Sequence, residues 1–256
     1  VVAWTTLITA YRQHGLWEES LYCFEKMQCD GLRPNIVTLI CILKVCGSAR
    51  ALDKGEKIHL QIIRESLLEK DVLVGNALVD MYAKCGEIAK AYQVFENLKD
   101  RDLISWTSLM GGYTQHGYGK EAVRCFELMQ REGFLPNSVT FISILKACGS
   151  IGAIDKGKQI HAEIVNESSL EEDISIGNVL IDMYARCGAH EKAQEVFDKL
   201  PFHDVVSWTT LISGYVQLGS DDLAIDLFNK MVCEGIEPNL VTFTVLLNGF
   251  SHSGLL

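Results

Sequence analysis

The stretch of sequence that decides the fold occurs twice, as DMYAKCG at 80–86 and as DMYARCG at 182–188. The two copies lie 102 residues apart, and the same shift aligns 52 identical positions between residues 1–102 and 103–204. Two unrelated segments of ordinary composition would agree at only about 6% of positions. Residues 205–256 begin a third copy. The sequence therefore predicts a stacked array of repeats.

Each 102-residue unit divides further into three helical hairpins. An apolar helical pattern ends at Gly15, Gly86 and Gly117, and a phenylalanine follows each of these glycines nine residues later. Glycine suits the left-handed residue that ends a helix. No segment alternates between apolar and polar residues over a useful length, which argues against a sheet. The predicted fold class is all-α, an α-solenoid of helix-turn-helix repeats.

The predicted repeats have unequal lengths of 35, 36 and 31 residues, and this order recurs along the chain. Their boundaries are 1–35, 36–71, 72–102, 103–137, 138–173, 174–204 and 205–239. Residues 240–256 supply little more than one helix of an eighth repeat. The chain lacks an initiator methionine and stops within that repeat, so we expect it to be a piece of a longer protein.

Composition supports a folded array and gives no sign of a membrane protein. The chain is 48% hydrophobic and 22% charged, which is enough to bury a continuous core. No apolar run reaches the roughly 18 residues that a membrane span needs. The net charge is −10, whereas a nucleic-acid binder usually carries a basic surface. If the chain binds a nucleic acid, we expect a shallow salt dependence.

The nine cysteines favour a reduced core over a metal site or a disulfide framework. The pairs Cys23/Cys125, Cys46/Cys148 and Cys85/Cys187 recur at equivalent helix positions, and no C-x-x-C pair exists. His59 and His161 also recur, and we interpret them as packed or capping side chains. No phosphate-binding loop, nucleophile elbow or deaminase zinc motif is present. We expect no cofactor, no metal and no catalysis by these residues.

The hairpins resemble pentatricopeptide repeats over essentially the whole chain. VVAWTTLI at 1–8 and VVSWTTLI at 205–212 resemble the opening of the standard 35-residue motif, and GLRPN at 31–35 resembles its close. GNALVDMYAKCG at 75–86 resembles the short motif. The order of lengths matches the triplet subclass of standard (P-type), long (L-type) and short (S-type) repeats. The resemblance implies a right-handed α-solenoid superhelix.

The resemblance also implies binding of single-stranded RNA, one base per repeat. In this family the fifth and the last residue of a repeat read the base edge. By this resemblance the P-type pairs are expected to prefer adenine and the S-type pairs uracil, and the L-type pairs should discriminate weakly because isoleucine forms no hydrogen bond. The P-type pairs are Thr5/Asn35, Thr107/Asn137 and Thr209/Asn239, the S-type pairs are Asn76/Asp102 and Asn178/Asp204, and the L-type pairs are Ile40/Asp71 and Ile142/Asp173. The predicted target is 5′-A-N-U-A-N-U-A-3′, and Thr244 is the fifth residue of the partial repeat.

Two further sets of residues follow from the resemblance. The second residue of each repeat is expected to sandwich the base. These residues are Val2, Val37, Leu73, Ile104, Val139, Ser175, Val206 and Val241, of which only Ser175 is not aliphatic. Lys84 and Arg186, at the thirteenth position of the S-type repeats, are expected to contact the RNA backbone.

Simpler interpretations of the same residues stay open at the level of sequence. The repeat-final asparagines and aspartates precede helices, where they are good N-caps. The aliphatic second residues could serve packing between repeats. The acidic balance favours a protein-interaction scaffold that binds a peptide or partner subunit in a concave groove, and this is the alternative function.

The triplet subclass is similar to plant organelle factors for C-to-U RNA editing. By this resemblance the chain would select the site, and the deaminase would lie outside it, so the chain itself is predicted not to be an enzyme. The resemblance also implies a mitochondrial or chloroplast location and editing-factor accessory proteins on the L-type repeats. No membrane partner is expected.

Overall fold

The computed structural model describes residues 1–68, 71–166 and 173–253. The predicted repeat segments 69–70, 167–172 and 254–256 lie outside the described residues. The described part of the chain contains fifteen α-helices and no strand. The helices are α1 (Val2–Gln13), α2 (Trp17–Cys29), α3 (Ile36–Ser48), α4 (Leu52–Arg64), α5 (Val72–Lys84), α6 (Ile88–Glu96), α7 (Leu103–Gln115), α8 (Gly119–Arg131), α9 (Ser138–Ile151), α10 (Ile154–Asn166), α11 (Ile174–Arg186), α12 (His190–Lys199), α13 (Val205–Gln217), α14 (Asp221–Cys233) and α15 (Leu240–Ser253).

The helices pack as hairpins in two compact units, Val1–Leu135 and Pro136–Leu256. In the first unit α1 packs on α3, α3 on α5 and α5 on α7, and each second helix packs on the first helix of its own hairpin. In the second unit α9, α11, α13 and α15 succeed one another in the same way. First and second helices therefore form two layers within each unit, as in a helical-repeat stack.

Each predicted repeat boundary falls immediately before a first helix, at residues 36, 72, 103, 138, 174, 205 and 240. The repeated stretch at 80–86 forms the end of α5 and the turn that follows. Gly86 has a φ of 87° there, and the amide of Glu87 donates to the carbonyl of Tyr82 at 2.9 Å. This left-handed turn, repeated at Gly188 with a φ of 76°, reverses the chain into the second helix.

Two equivalent glycines let neighbouring first helices approach closely. A Cβ on Gly47 in α3 would lie 3.2 Å from Cα of Met81 in α5, and one on Gly149 in α9 would lie 3.2 Å from Cα of Met183 in α11. Because the neighbouring atoms belong to the backbone, they cannot move aside cheaply. The 102-residue period thus reflects a repeated helix crossing.

The core contains most of the expected side chains. Phe24, Phe95, Phe126 and Phe197 are buried, and Trp106 and Trp208 pack edge-on against Phe95 and Phe197 at ring-centroid distances of 4.7 Å. In the described residues no helix is long and apolar enough to cross a membrane. The all-α solenoid of helical repeats agrees with the expectation, whereas the handedness of its superhelix stays a prediction.

The cysteines divide into core residues and helix ends. Cys46, Cys125 and Cys148 are buried, and burial raises the pKa of Cys46 and Cys125 to about 12, so these thiols stay protonated. Cys85 and Cys187 are half-buried residues at the C-terminal ends of α5 and α11, which corrects their assignment to the core. The part of the chain that the structure describes holds no cluster of three metal-ligating side chains.

Candidate nucleic-acid interface

The predicted reading residues gather at the N-terminal ends of the first helices. The second and fifth residues of a repeat lie on the first two turns, and the repeat-final residue caps the first helix of the next repeat. Within one unit, adjacent first helices pack side by side. The fifth residue of one repeat therefore comes close to the cap that follows that repeat.

All eight second-position residues are exposed to solvent. The exposed fraction of the seven aliphatic ones runs from 49% for Leu73 to 77% for Val2. Packing between repeats would bury such side chains, because burial of apolar area is the driving force for that packing. Their exposure at the same position in successive repeats instead provides apolar surface on which a base could lie. Ser175 is exposed as well and lacks this apolar surface.

In the P-type repeats a threonine of the next repeat links the predicted pair. The hydroxyls of Thr5 and Thr38 lie 2.7 Å apart, and the Thr38 hydroxyl donates to Oδ1 of Asn35 at 2.8 Å. Thr209 and Thr242 repeat this contact at 2.8 Å, and the Thr242 hydroxyl donates to Oδ1 of Asn239 at 3.2 Å. The fifth and last residues of these repeats thus share one hydrogen-bonded group.

The repeat-final asparagines are N-caps, as the simpler interpretation holds. Oδ1 of Asn35, Asn137 and Asn239 accepts from the backbone amide three residues later at 2.9 to 3.0 Å. Capping uses only the oxygen, and Nδ2 of these exposed asparagines has no hydrogen bond within the described residues. Capping therefore leaves Nδ2 of these asparagines free for a ligand.

In the first S-type repeat the predicted pair is in direct contact. Nδ2 of Asn76 donates to Oδ1 and Oδ2 of Asp102 at 3.0 and 3.2 Å. The hydroxyl of Ser105 donates to Oδ1 of Asn76 at 2.6 Å, and Asn76 is only 4% exposed. The carboxylate of Asp102 stays half-buried and keeps lone pairs free on Oδ2, so it can accept a hydrogen bond from a ligand.

The second S-type repeat is arranged differently. The hydroxyl of Ser207 bonds only to Asp204, and Oδ1 of the half-buried Asn178 lies buried without a hydrogen-bond partner among the described residues. Burying an amide oxygen without a hydrogen-bond partner costs free energy. A ligand that donates a hydrogen bond to this oxygen would remove that cost.

The remaining P-type pair, Thr107 and Asn137, is divided between the two compact units. The hydroxyl of Thr107 donates to the carbonyls of Leu103 and Ile104 at 2.9 and 3.1 Å. Thr244 is exposed and donates to the carbonyl of Leu240 at 2.7 Å.

The L-type repeats lack such contacts at the same place. Ile40 and Ile142 are half-buried, and Asp71 and Asp173 cap α5 and α11 by accepting from the amides of Leu73 and Ser175 at 2.8 Å. Isoleucine offers a base no hydrogen bond, so the described residues of these repeats provide no polar pair at this place.

The two cations predicted to meet the RNA backbone are paired with acids on their own helices. Nζ of Lys84 lies 2.7 Å from Asp80, and Nε of Arg186 lies 2.8 Å from Asp182. Both pairs are spaced four residues apart and are partly exposed, so each is worth little and leaves a nearly neutral surface. Their contact with the RNA backbone stays a prediction.

Sequence reasoning missed the third residue of the repeat that follows each polar pair. This residue always carries a hydroxyl and is fully buried, and the set comprises Thr38, Ser105, Thr140, Ser207 and Thr242. After the two L-type repeats the position holds Val74 and Ile176 instead. The sequence already shows this pattern, since the third position holds a hydroxyl residue after each predicted polar pair and an aliphatic residue after each L-type pair.

Comparison with known protein families identifies the repeats. A model of the PPR repeat family matches residues 1–48, 101–150 and 203–252, and a model of the PPR repeat matches residues 76–103 and 178–205. The chain belongs to the PPR repeat family. The ends of successive matches recur with the 102-residue offset that relates DMYAKCG and DMYARCG.

PPR proteins of Arabidopsis thaliana are similar over nearly the whole chain. Pentatricopeptide repeat-containing protein At4g18520, chloroplastic, is 38% identical over 99% of this chain and 41% of its own length. Pentatricopeptide repeat-containing protein At2g03880, mitochondrial, is 36% identical over 100% of this chain and 40% of its own length. The chain thus spans about two fifths of the length of these PPR relatives.

The fold is also that of a solved PPR protein. The crystal structure of PPR10 in complex with an 18-nt psaJ RNA element superimposes with a TM-score of 0.79 and 23% identity, covering 97% of this chain and 37% of PPR10. The PPR10 structure from maize superimposes with a TM-score of 0.62 and 19% identity. This likeness confirms an all-α solenoid of PPR repeats.

Proposed function

We propose that this PPR array binds single-stranded RNA in a sequence-specific way, with one base per repeat and a target of 5′-A-N-U-A-N-U-A-3′. The observation that carries the proposal is the contact between the fifth and last residues of one repeat, direct in Asn76/Asp102 and through a threonine in Thr5/Asn35. PPR family membership and the RNA held by PPR10 support RNA as the ligand.

The hydrogen-bonding groups fit the proposed bases. Asn35 and Asn239 offer amide N–H donors at the reading position, whereas Asp102 offers only acceptors. A donor suits the unprotonated ring nitrogen N1 of adenine, and an acceptor suits the ring N–H of uracil. A wrong base leaves a polar group unpaired, at a cost of about 1–3 kcal/mol per site.

Base stacking is replaced by aliphatic surface in this proposal. Exposed side chains such as Val37, Leu73 and Ile104 lie one turn before the fifth residues of their own repeats. A base inserted between two of them would bury apolar area on both of its faces, at about 25 cal/mol per Å².

We further propose that the chain is the site-recognition part of a plant organellar C-to-U editing factor of the triplet subclass. The alternation of 35-, 36- and 31-residue repeats supports the subclass, and relatives named chloroplastic or mitochondrial support an organelle. Deamination would belong to a segment outside this chain. The L-type repeats, without polar reading pairs, would be free to contact accessory editing proteins.

The test is a binding titration of the 256-residue chain with two RNAs of equal length and composition, one carrying AUUAUUA and one carrying the same bases scrambled. We expect the ordered RNA to bind at least about tenfold more tightly, since several sites each contribute to discrimination. Equal affinity for both RNAs would refute the base code. No RNA binding at all would favour a protein scaffold, an outcome that the net charge of −10 makes worth measuring.

A further inference from the structure

We propose that the buried hydroxyl at the third position of the following repeat sets which hydrogen-bonding role the fifth residue presents to the RNA base. Thr242 is the clearest example, and Thr38 and Ser105 are equivalent. The inference rests on the proposed function and deepens it, because it adds a positioning residue to the three reading sites where this hydroxyl contacts the fifth residue, Thr5, Asn76 and Thr209. This residue would not touch the RNA itself.

The buried hydroxyl occurs only in first helices that follow a polar reading pair, and not in every first helix. All seven first helices after the first repeat begin with a cap, yet only those that follow a polar pair carry a hydroxyl at the third position. These five hydroxyls are fully buried. Burial of a hydroxyl costs free energy unless it is hydrogen-bonded, so a valine, as at Val74, would be the simpler choice for packing alone.

Capping alone does not account for the hydroxyl. The cap of α15 is the bond from the backbone amide of Thr242 to Oδ1 of Asn239 at 3.0 Å, and any residue except proline could supply that amide. The side chain of Thr242 adds a 2.8 Å contact to Thr209, which belongs to α13. The hydroxyl therefore connects two helices, beyond what the cap requires.

The number of protons on these groups indicates which of the two hydroxyls, Thr209 or Thr242, is the donor. Oδ1 of Asn239 carries no hydrogen, so Thr242 is the donor in their 3.2 Å bond. The 2.8 Å contact between Thr209 and Thr242 allows either hydroxyl to donate, and we infer that it runs from Thr209 to Thr242 because the single proton of Thr242 is used by Asn239. Thr209 is left with lone pairs only and faces a base as an acceptor, while Nδ2 of Asn239 faces it as a donor.

An acceptor beside a donor is complementary to one edge of adenine. Adenine presents its N6 amino group as a donor and N1 as an acceptor. Guanine has the same size but presents the O6 acceptor and the N1–H donor, so both contacts become repulsive. The direction of the hydroxyl chain thus provides a physical reason to reject guanine, which the shape of the pocket could not do.

The first S-type site uses the same position with the opposite result. The Ser105 hydroxyl donates to Oδ1 of Asn76 at 2.6 Å, which leaves the amide nitrogen of Asn76 as the group that can donate. One N–H of this nitrogen meets the two carboxylate oxygens of Asp102, and the other remains for a base. Asp102 accepts. The donor now lies at the fifth residue and the acceptor at the last, which suits O4 and the N3–H of uracil.

Thr242→Val is the decisive variant, because it removes the hydroxyl but keeps the shape and the backbone cap. Thr209 has no other hydrogen bond within the described residues, whereas Thr5 also lies 3.1 Å from the carbonyl of Val1. Once released, the Thr209 hydroxyl can rotate and donate to O6 of guanine. We expect the preference for adenine over guanine at the seventh nucleotide to fall about tenfold, mainly through tighter binding of the guanine RNA.

The measurement uses two RNAs that differ only by adenine or guanine at that nucleotide, with the full chain and its variants. Thr242→Ser restores the hydroxyl and should restore the preference. Ser20→Ala removes another fully buried hydroxyl, which donates to the carbonyl of Ile8 at 3.1 Å, and should leave the ratio unchanged.

The outcomes separate the inference from the proposed function. Equal weakening of both RNAs by Thr242→Val, or an unchanged ratio while the wild type discriminates, would overturn the inference alone. A wild type that fails to distinguish the two bases here and at the other P-type sites would overturn both. A shifted ratio that Thr242→Ser rescues would support the inference.

Discussion

Two adjacent glycines in α7 allow a matched test of how closely the first helices must pack. A Cβ on Gly112 would lie 2.6 Å from Cβ of Ala83 in α5, whereas a Cβ on Gly111 would have no atom within 4 Å. Both residues lie inside the helix, so alanine should improve the helix propensity of each by about 1 kcal/mol. Only Gly112→Ala forces the two helices apart.

The size of the effect follows from the distances. Ordinary carbon contacts lie at about 3.5–4.0 Å, so α5 and α7 must separate by about 1 Å or more at this crossing. Overpacking of this kind costs about 1–3 kcal/mol, against the gain of about 1 kcal/mol in propensity. We expect Gly111→Ala to raise the free energy of unfolding by up to about 1 kcal/mol. The free energy of unfolding of Gly112→Ala should be about 1–3 kcal/mol lower than that of Gly111→Ala.

The assay is urea denaturation of both variants, followed by circular dichroism at 222 nm. The shift should also weaken RNA binding by Gly112→Ala, since α5 and α7 carry Leu73 and Ile104, the proposed clamp for one base. Gly112→Ala with the stability and RNA affinity of Gly111→Ala would refute the claim that this crossing sets the spacing between repeats.

Two further variants test the charge and the apolar surface of the interface. Asp80→Asn should free Lys84 and steepen the slope of log affinity against log salt concentration by about 0.7. The slope is measured by RNA titration at several salt concentrations. As a control, Glu56→Gln breaks the 2.6 Å ion pair with Lys90 and should leave the slope unchanged. An unchanged slope in Asp80→Asn would place Lys84 away from the phosphates. Val37→Asp should lower RNA affinity by about tenfold without lowering the melting temperature, because Val37 is 57% exposed in the first turn of α3. Unaltered affinity would remove Val37 from the proposed clamp.

The sequence was sufficient for the repeat period because each repeat encodes its own turn and crossing. Gly86 and Gly188 end their helices through a local backbone requirement, and Gly47 and Gly149 mark contacts that recur with the repeat. These turns and helix crossings depend only on residues of the same repeat and of the next one, so they recur wherever the repeat does. The helix starts at residues 36, 72 and 103 follow from the same regularity.

The candidate site was predicted less completely, because its chemistry depends on atoms from two repeats. The separation of Asn35 into a capping oxygen and a free amide nitrogen could not be read from residue types alone. The burial of Asn76 under Ser105 likewise depends on how α5 and α7 pack. The neutralisation of Lys84 was different, since the spacing of four residues from Asp80 predicts that ion pair from sequence.

The central claim is that the repeat-final side chain reads the base, and Asn35→Asp tests it most directly. Aspartate caps a helix as well as asparagine does, so the fold and the bond from the Thr38 amide should be retained. The substitution replaces the free N–H donors with lone pairs. At the first nucleotide we predict that the preference for adenine over bases with a ring N–H, uracil among them, falls by about tenfold or more in a direct titration, because aspartate cannot donate to N1 of adenine. An unchanged preference for adenine, with the RNA still bound, would show that Asn35 only caps α3 and would contradict the account.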